Sequence, residues 1–522
     1  MPVHDFTRVG VAWRWLAGRG RSQPGPPGDG PVVGLSERGA SIHWAPPTPE
    51  AAQHSFVTAG SGAGKTAMLA SAIVQEAVAP VDDAALRTSY VIVDGKNDLG
   101  SVVLHGLAHV APDRLADVRW LAPFEQHGFP FNLCKLDPGA TPLEVRALAL
   151  AQLTSRVSQM QGEGGSGAGA RQLDVWTHCF LGALDTAHPA ASPLWALDAL
   201  NEPKHGLKRL AAVTRSVRAK DFLAATELSD ELRTSCGSRI RTALSLTDQL
   251  ARLASTPDCF SPADLTASGR ITCVMLGSPP GGIESLPRLY GSLIGRVIVE
   301  HLFERPSPYR GHHVRLVFDE AQVVASVLSS YLDALLTRGR SLCLSACVIT
   351  QGTTLLHQAS DTIIPLLMTN APLKIVGRLA APDAELLARN LGPRLGIDET
   401  VAGVRSRFVT GATNLKDREF ILMRPGETTR FRSADIDLKG WDDAAVRHAD
   451  EIAVVKARFA LPETGPRLTL QEATKELSFS DGRRGRGRAV AVVLPPTPND
   501  GAAHDPGDPK PTRPKKPRSR WG

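Results

Sequence analysis

Residues 59–66 read Ala-Gly-Ser-Gly-Ala-Gly-Lys-Thr, straight after the β-rich run Ser55–Thr58 and straight before the apolar-periodic AMLASAIV. Small residues here let successive backbone N–H groups turn inward around phosphate oxygens, and a helix starting at the lysine adds partial positive charge. The lysine then reaches the β/γ oxygens and the threonine hydroxyl reaches a magnesium ion. Gly60, Ser61, Gly62, Ala63, Gly64, Lys65 and Thr66 are therefore the expected contacts to ATP and Mg2+. Ala59 stands where the strict pattern has glycine, and the flanking strand and helix carry the assignment. An equally glycine-rich octapeptide, GEGGSGAG at 162–169, lacks the Gly-Lys-Thr ending and reads as a mobile loop.

A phosphate loop of this kind belongs at the carboxyl edge of a parallel sheet. β-rich runs at Ser55–Thr58, Tyr90–Asp94, Ile271–Leu276, Val314–Asp319, Ala346–Thr350 and Lys374–Val376 alternate with longer helical patterns, as such a sheet requires. The predicted fold is α/β: a P-loop (RecA-like), mostly parallel sheet flanked by helices, with an inserted all-α subdomain and disordered termini. At 522 residues the chain can hold about three or four globular units. The expected layout is a partly flexible N-terminal segment at 1–50 and a first part of the core at 51–140. An inserted all-α subdomain at 141–262 follows, then the second part of the core at 263–440. A C-terminal helical segment at 441–481 and a disordered basic tail at 482–522 complete it. The insertion is marked by Ala, Leu, Ser and Arg at helical spacing, and the flexible stretch GRGRSQPGPPGDG at 18–30 by its Gly, Pro and Arg. EFILMRP (419–425) followed by ETTRFRS (427–433) reads as a strand pair across a Pro-Gly turn.

Lys and Arg number 59 against 53 Asp and Glu, a net +6 that permits a polyanionic partner without demanding one. The seven cysteines are scattered, and the close pair Cys343 and Cys347 lies in an apolar run without neighbouring ligands. That spacing argues against a disulfide framework and a structural zinc, and suits a reducing cytosol. No stretch has the length of uninterrupted apolar residues that a membrane span needs, and MPVHDFTRVG lacks the layout of a signal peptide. No transmembrane segment is expected.

A second chemical signal stands at the end of the run HHVRLVFDE. Its Asp319 is placed to order the magnesium shell and its Glu320 to polarise attacking water, the pairing that hydrolysis after a phosphate loop requires. The rival role for Asp319 is a helix cap. His312 and His313 read as exposed residues before the strand rather than metal ligands, since no third ligand stands at useful spacing. Gln351, at the end of the next strand, either hydrogen-bonds the γ-phosphate or the attacking water, or merely caps the strand. Arg338 and Arg340 are candidate arginine fingers for a neighbouring subunit's nucleotide or else surface arginines, and Arg378 is a third candidate.

Taken in order, these residues resemble the FtsK/HerA superfamily of ring-forming P-loop ATPases, most closely the TraG/TraD-type coupling proteins of conjugative type IV secretion. VIVDGKNDLG (91–100) is similar to that family's strand-ending Asp-Pro-Lys-Gly-Asp signature: Asp94, Lys96 and Asp98 match, while Gly95 and Asn97 depart. A helical insertion, a strand and YGSLIGRVIVEHLFE (290–304) then lead to the Asp-Glu strand, and MTNAPLKIVGRLAAPDAELLARNLG (368–392) resembles the segment after the family's glutamine. The resemblance spans about residues 50–435. It implies a homo-hexameric ring that hydrolyses ATP at subunit interfaces and moves DNA through a central channel. It also implies that Asp94 and Lys96 join the nucleotide site, and that the helical subdomain recognises cargo or a relaxase. Members usually carry N-terminal membrane helices, whereas VGVAWRWLAG (9–18) is too short to cross and holds Arg14. The expected location is cytoplasmic, or peripheral at the inner membrane, with a relaxase, a secretion channel or a nuclease as candidate partner. The rivals are a HerA-like DNA-processing or phage-defence motor working with a nuclease, and a nucleotide-switched assembly that recruits protein.

The tail carries Arg483, Arg484, Arg486 and Arg488, then Lys510, Arg513, Lys515, Lys516, Arg518 and Arg520 among prolines. Such a cationic segment binds nucleic acid sequence-blind by releasing counterions, or docks an acidic protein, or simply solubilises the end of the chain.

Overall fold

The computed structural model describes residues 31–44, 53–81, 83–123, 169–186, 193–245, 260–277, 312–391, 401–425, 427–457 and 468–476, with scattered positions at 143–155, 188 and 291–303. The flexible stretch at 18–30, the segment at 9–18, nearly all of 162–169, most of 290–304 and the basic tail at 482–522 lie outside the described residues. Met1–Lys475 forms one unit, described below, and Glu476–Gly522 a second.

Among the described residues, eleven strands make one sheet. In chain order they are β1 (Val32–Ser36), β2 (Ser41–His43), β3 (Ser55–Thr58), β4 (Ser89–Asp94), β5 (Val118–Leu121), β6 (Ile271–Met275), β7 (Val314–Asp319), β8 (Leu344–Thr350), β9 (Leu373–Val376), β10 (Glu419–Arg424) and β11 (Glu427–Ser433). Their spatial order is β2-β1-β11-β10-β9-β3-β8-β7-β4-β6-β5. From β9 to β5 every pairing is parallel, and from β9 to β2 every pairing is antiparallel. The parallel strands are buried on both faces, which is why they read as unbroken apolar runs. The predicted strand set is present, and the predicted hairpin is β10–β11. Three strands went unread: β5, whose four residues include Arg119, and β1 and β2, which extend the sheet from within the N-terminal segment.

The helices are α1 (Lys65–Val78), α2 (Leu99–Val110), α3 (Ala170–Leu184), α4 (Leu194–Asn201), α5 (Gly206–Val213), α6 (Val217–Ala225), α7 (Asp230–Ser245), α8 (Pro262–Thr266), α9 (Gln322–Arg338), α10 (Thr353–Ala359), α11 (Ile363–Asn370), α12 (Ala381–Leu391), α13 (Val401–Thr413), α14 (Leu438–Arg447) and α15 (Ala449–Ala457). One face of the sheet, through Tyr90, Ile92, Cys273, Val317, Cys347 and Ile349, packs a core with α1, α2, α14 and α15. A Cβ on Gly106 of α2 would meet the Trp441 ring of α14 at 2.7 Å, so glycine is what lets these helices cross this closely. On the opposite side α9 packs against β8 and α11.

Helices α3–α7 fill 170–245 between β5 and β6. Trp176 is buried there and donates its indole N–H to Cys236 O at 3.2 Å, and the His178 ring stacks on Phe222 at 3.9 Å. Beyond α15 the chain returns to these helices: Trp195 donates to Leu468 O at 3.1 Å and Leu470 N–H to Asp198 Oδ2 at 3.2 Å. Of the described residues beyond 440, α14 and α15 thus join the core on the sheet and 468–470 meet the helical subdomain.

Candidate nucleotide-binding site

The phosphate loop leaves β3 between β8 and β9, the point where the strand order reverses and where ligands of open parallel sheets sit. Gly62 (φ 77°) and Gly64 (φ 88°) take left-handed backbone angles that the glycine-rich sequence permits, and Gly64 precedes α1. Gly60 N–H is spent on Arg378 O at 2.7 Å. Among the described residues no acceptor faces the N–H groups of Ser61, Gly62, Gly64, Lys65 and Thr66. This is the unpaired cradle an anion fills. Lys65 is buried and donates from Nζ to Ala59 O at 3.0 Å. Burial holds its pKa below the ordinary lysine value, and the charges of Glu320 and Asp319 oppose that shift.

Asp319 ends β7 and Glu320 follows it, both buried. Burial, then the charges of Asp94 and Glu320, push the Asp319 carboxyl up to about 7, with Lys65 pulling the other way. Asp319 Oδ1 accepts the Glu320 N–H at 3.1 Å. A buried carboxylate crowded by two others, together with the hydroxyl of Thr66 in the first turn of α1, is a hard-oxygen donor set that suits a divalent cation. The residues present therefore fit Mg2+.

Glu320 itself sits at φ 53°. Its Oε1 accepts from Gln351 Nε2 at 2.6 Å and pairs with Lys96 Nζ at 3.1 Å, while its Oε2 accepts from Gln322 Nε2 at 2.5 Å. Gln322 is oriented in turn by Thr350, whose hydroxyl donates to Gln322 Oε1 at 3.0 Å. The structure thus brings Lys65, Lys96, Asp319, Glu320 and Gln351 to one edge of the sheet. Asp94 lies fully buried at the end of β4 and serves differently: Oδ1 accepts the N–H groups of Lys96 and Asn97 at 2.9 and 2.8 Å, and Oδ2 that of Gly100 at 2.9 Å. Burial raises its pKa and these three hydrogen bonds lower it, with burial prevailing. Its work is to fold the turn that carries Lys96.

Two residues of the site escaped sequence reading. Gln322 could be noticed only as a polar side chain opening an apolar helix. Arg418 (φ 68°) donates its backbone N–H to Ala63 O at 3.2 Å and lays its Cγ 3.2 Å from where a Gly64 Cβ would be. Its guanidinium pairs with Asp435 and donates to Ala434 O at 2.7 Å, so β10 and β11 are docked onto the phosphate loop.

The candidate fingers lie elsewhere. Arg338 ends α9 and Arg340 lies in the short turn before β8, so both stand at the amino edge of the sheet, exposed and unpaired among the described residues. β8 is seven residues long, and at about 3.3 Å per residue it sets them roughly 20 Å from Gln351 at its far end. Arg378 is at the carboxyl edge, paired with Asp417 at 2.9 Å. One expectation is corrected: His313 is buried, not exposed, because it opens a strand covered on both faces, and its Nε2 meets Ser345 Oγ at 2.9 Å. His312 is half-buried, with Nε2 against Thr266 O at 2.7 Å.

No protein-family profile and no curated protein matches the chain. Among solved structures it is similar to VirB4 of Thermoanaerobacter pseudethanolicus, at 13% identity over 79% of this chain and 98% of that one, with a TM-score of 0.52. It is also similar to the bacterial conjugative coupling protein TrwBdeltaN70, at 16% identity over 80% of this chain and 90% of that one, TM-score 0.48. The plasmid coupling protein TrwB in complex with ADP and Mg2+ aligns at 16% identity over 80% and 91%, also at TM-score 0.48. At these identities the likeness is one of fold, and the fold of this chain is that of the RecA-like P-loop ATPases.

Proposed function

We propose that the chain is an ATPase whose phosphate loop binds ATP with Mg2+ and whose hydrolysis drives DNA movement, in the manner of a coupling protein, from a homo-hexameric ring. The observation that carries the ATPase reading is the convergence of Lys65, Asp319, Glu320 and Gln351 on the mouth of one phosphate cradle. Lys65 and the loop N–H groups hold the triphosphate, and Thr66 and Asp319 hold the metal, which supplies charge neutralisation of the transferring phosphoryl group. Glu320 takes the proton of the attacking water and Gln351 orients that water. The ring reading is supported by Arg338 and Arg340, which stand about 20 Å from their own cradle and so act, if they act on a nucleotide, on a neighbour's. DNA as the cargo is supported by the ordered resemblance and the basic tail. A relaxase, a secretion channel or a nuclease at the inner membrane is the fitting partner class. No helix among the described residues is long and apolar enough to cross a membrane.

The test is the steady-state ATPase rate against protein concentration, with and without single- and double-stranded DNA, using Glu320→Gln as the blank. The expected outcome is turnover that rises with protein concentration and with DNA, and that falls at least about 100-fold in the blank. Turnover indifferent to both DNA forms would transfer the assignment to a nucleotide-switched assembly that recruits protein.

A further inference from the structure

Lys96 is the member of this cluster whose partner is least expected. The residue resembles a nucleotide contact, yet its ammonium pairs with Glu320 at 3.1 Å. The turn that aims it there is held by several hydrogen bonds, among them Gly95 N–H to Asp319 O at 3.2 Å. Asp94 accepts the backbone N–H groups of Lys96, Asn97 and Gly100, while Asn97 takes φ 67° and accepts the Gly277 N–H on its Oδ1 at 2.7 Å. A Cβ on Gly95 would meet Glu320 Cβ at 3.0 Å, so the turn is pressed directly against the glutamate.

With Lys96 and Gln351 on Oε1 and Gln322 on Oε2, the Glu320 carboxylate serves three donors, one of them a cation. Both carboxylate oxygens of Glu320 are thus already occupied, Oε1 by Lys96 and Gln351 together and Oε2 by Gln322. The two glutamines are neutral and sit among packed residues. Lys96 is different. Its side chain is 45% exposed, it rides on a flexible four-carbon stem, and its charge is felt at Lys65, the residue that meets the β/γ oxygens. A γ-phosphate brought to the Lys65 cradle offers that ammonium more negative charge than one carboxylate does.

We propose that Lys96 is a latch on Glu320 that the γ-phosphate of a bound nucleoside triphosphate releases. The ammonium moves from Glu320 Oε1 to a γ-phosphate oxygen, and that carboxylate oxygen is then open to a water. A nucleoside diphosphate, which lacks that oxygen, leaves the latch shut. This rests on the ATPase reading above and adds to it how the base is kept idle until a triphosphate arrives.

The latch makes a thermodynamic demand. Lys96 cannot serve both partners, so its pairing with Glu320 opposes triphosphate binding and not diphosphate binding. Equilibrium affinities for a fluorescent non-hydrolysable ATP analogue and for fluorescent ADP, with Mg2+, are therefore measured for the wild type, Glu320→Gln, Lys96→Met and the double variant. Glu320→Gln is expected to tighten the ATP analogue about 5-fold or more and leave ADP unchanged. Lys96→Met is expected to lose most of the preference for the analogue over ADP, and in that background Glu320→Gln is expected to add nothing. If the gain from Glu320→Gln is as large with Met at position 96 as with Lys, the glutamate merely repels the phosphate and the latch is wrong. An equal gain for ADP overturns it as well. ADP affinity also reports that each variant is folded. A wild type that binds neither nucleotide, or a Lys65→Ala variant that binds both normally, overturns the ATPase reading itself, a result distinct from failure of the latch.

Discussion

At the residue scale the site is held by conformations most side chains avoid. Glu320 and Asn97 both occupy left-handed backbone angles, φ 53° and 67°, each costing about 1–2 kcal/mol relative to the right-handed region. Both lie where β7 and β4 turn toward the cradle; Arg418 (φ 68°) beside the phosphate loop and Cys343 (φ 56°) before β8 take such angles too. A second strained economy lies at the other edge of the sheet. His54, fully buried before β3, accepts the Ala346 N–H on Nδ1 at 3.0 Å, while its Nε2 has no hydrogen-bond partner. Burial first, and the nearby Arg340 charge second, lower its pKa from 6.5 to about 4. Between those values the unfolded chain binds a proton that the native chain does not, so stability rises with pH across that window. The contribution is intact above pH 6.5 and is lost as pH falls toward 4. Fully developed, it is on the order of 3 kcal/mol. Replacing His54 with Leu should flatten part of the drop in thermal midpoint between pH 7 and pH 5; His313, whose pKa burial also lowers, acts in the same direction, and Asp319, pushed up to about 7, in the opposite one. Identical pH slopes for the variant and the wild type would remove His54 from that account.

At the scale of elements, the antiparallel wing from β10 to β2 is tied to the nucleotide machinery at two points. Arg418 binds the wing to the phosphate loop, and Gln75 of α1 exchanges hydrogen bonds with both backbone groups of Val32 in β1, at 3.1 and 3.0 Å. β1 meets β11 through Gly34, where a Cβ would fall 2.2 Å from Arg432 O and 2.6 Å from the Phe431 ring. Gly34→Val should detach β1 and β2, seen as a gain of hydrogen exchange in 32–43 with β3–β8 unaffected. Unchanged exchange there would mean the edge tolerates the side chain. β1 and β2, with β5, were also the strands sequence reading missed. VIVD, VRLVFD and LSACVIT announce themselves because parallel strands are apolar on both faces. VRWL at β5 does not, since it is only four residues long and includes Arg119, which donates locally to Ala116 O and Val118 O at 3.0 Å and lies over the Phe260 ring at 5.3 Å. The site divides in the same way. The loop from Gly60 to Thr66, the Asp319-Glu320 pair and Gln351 each sit at a strand end where local sequence declares them. Gln322, Arg418 and the engagement of Lys96 with Glu320 depend on contacts between distant segments, which no local pattern encodes.

At the scale of the whole molecule, the cradle occupies one edge of the sheet and the exposed Arg338 and Arg340 the other, with the length of β8 between them. If those arginines complete a neighbour's site, Lys65→Ala subunits, silent alone, should restore turnover when mixed with subunits carrying both Arg338→Ala and Arg340→Ala, also silent alone. Each would then supply what the other lacks. No recovery at any mixing ratio, despite mixed assemblies on sizing, would remove both arginines from the neighbour's chemistry. Carried into a cell, the same separation of the two edges has a genetic meaning. A copy damaged at its cradle still lends sound arginines, so it silences one site in the ring, its own. A copy damaged at its arginines silences its neighbour's site and spares its own. A copy damaged at both silences two. On this reading an allele that strikes either edge alone is equally dominant, and one that strikes both is more dominant than either, so heredity counts the sheet's two ends as separate.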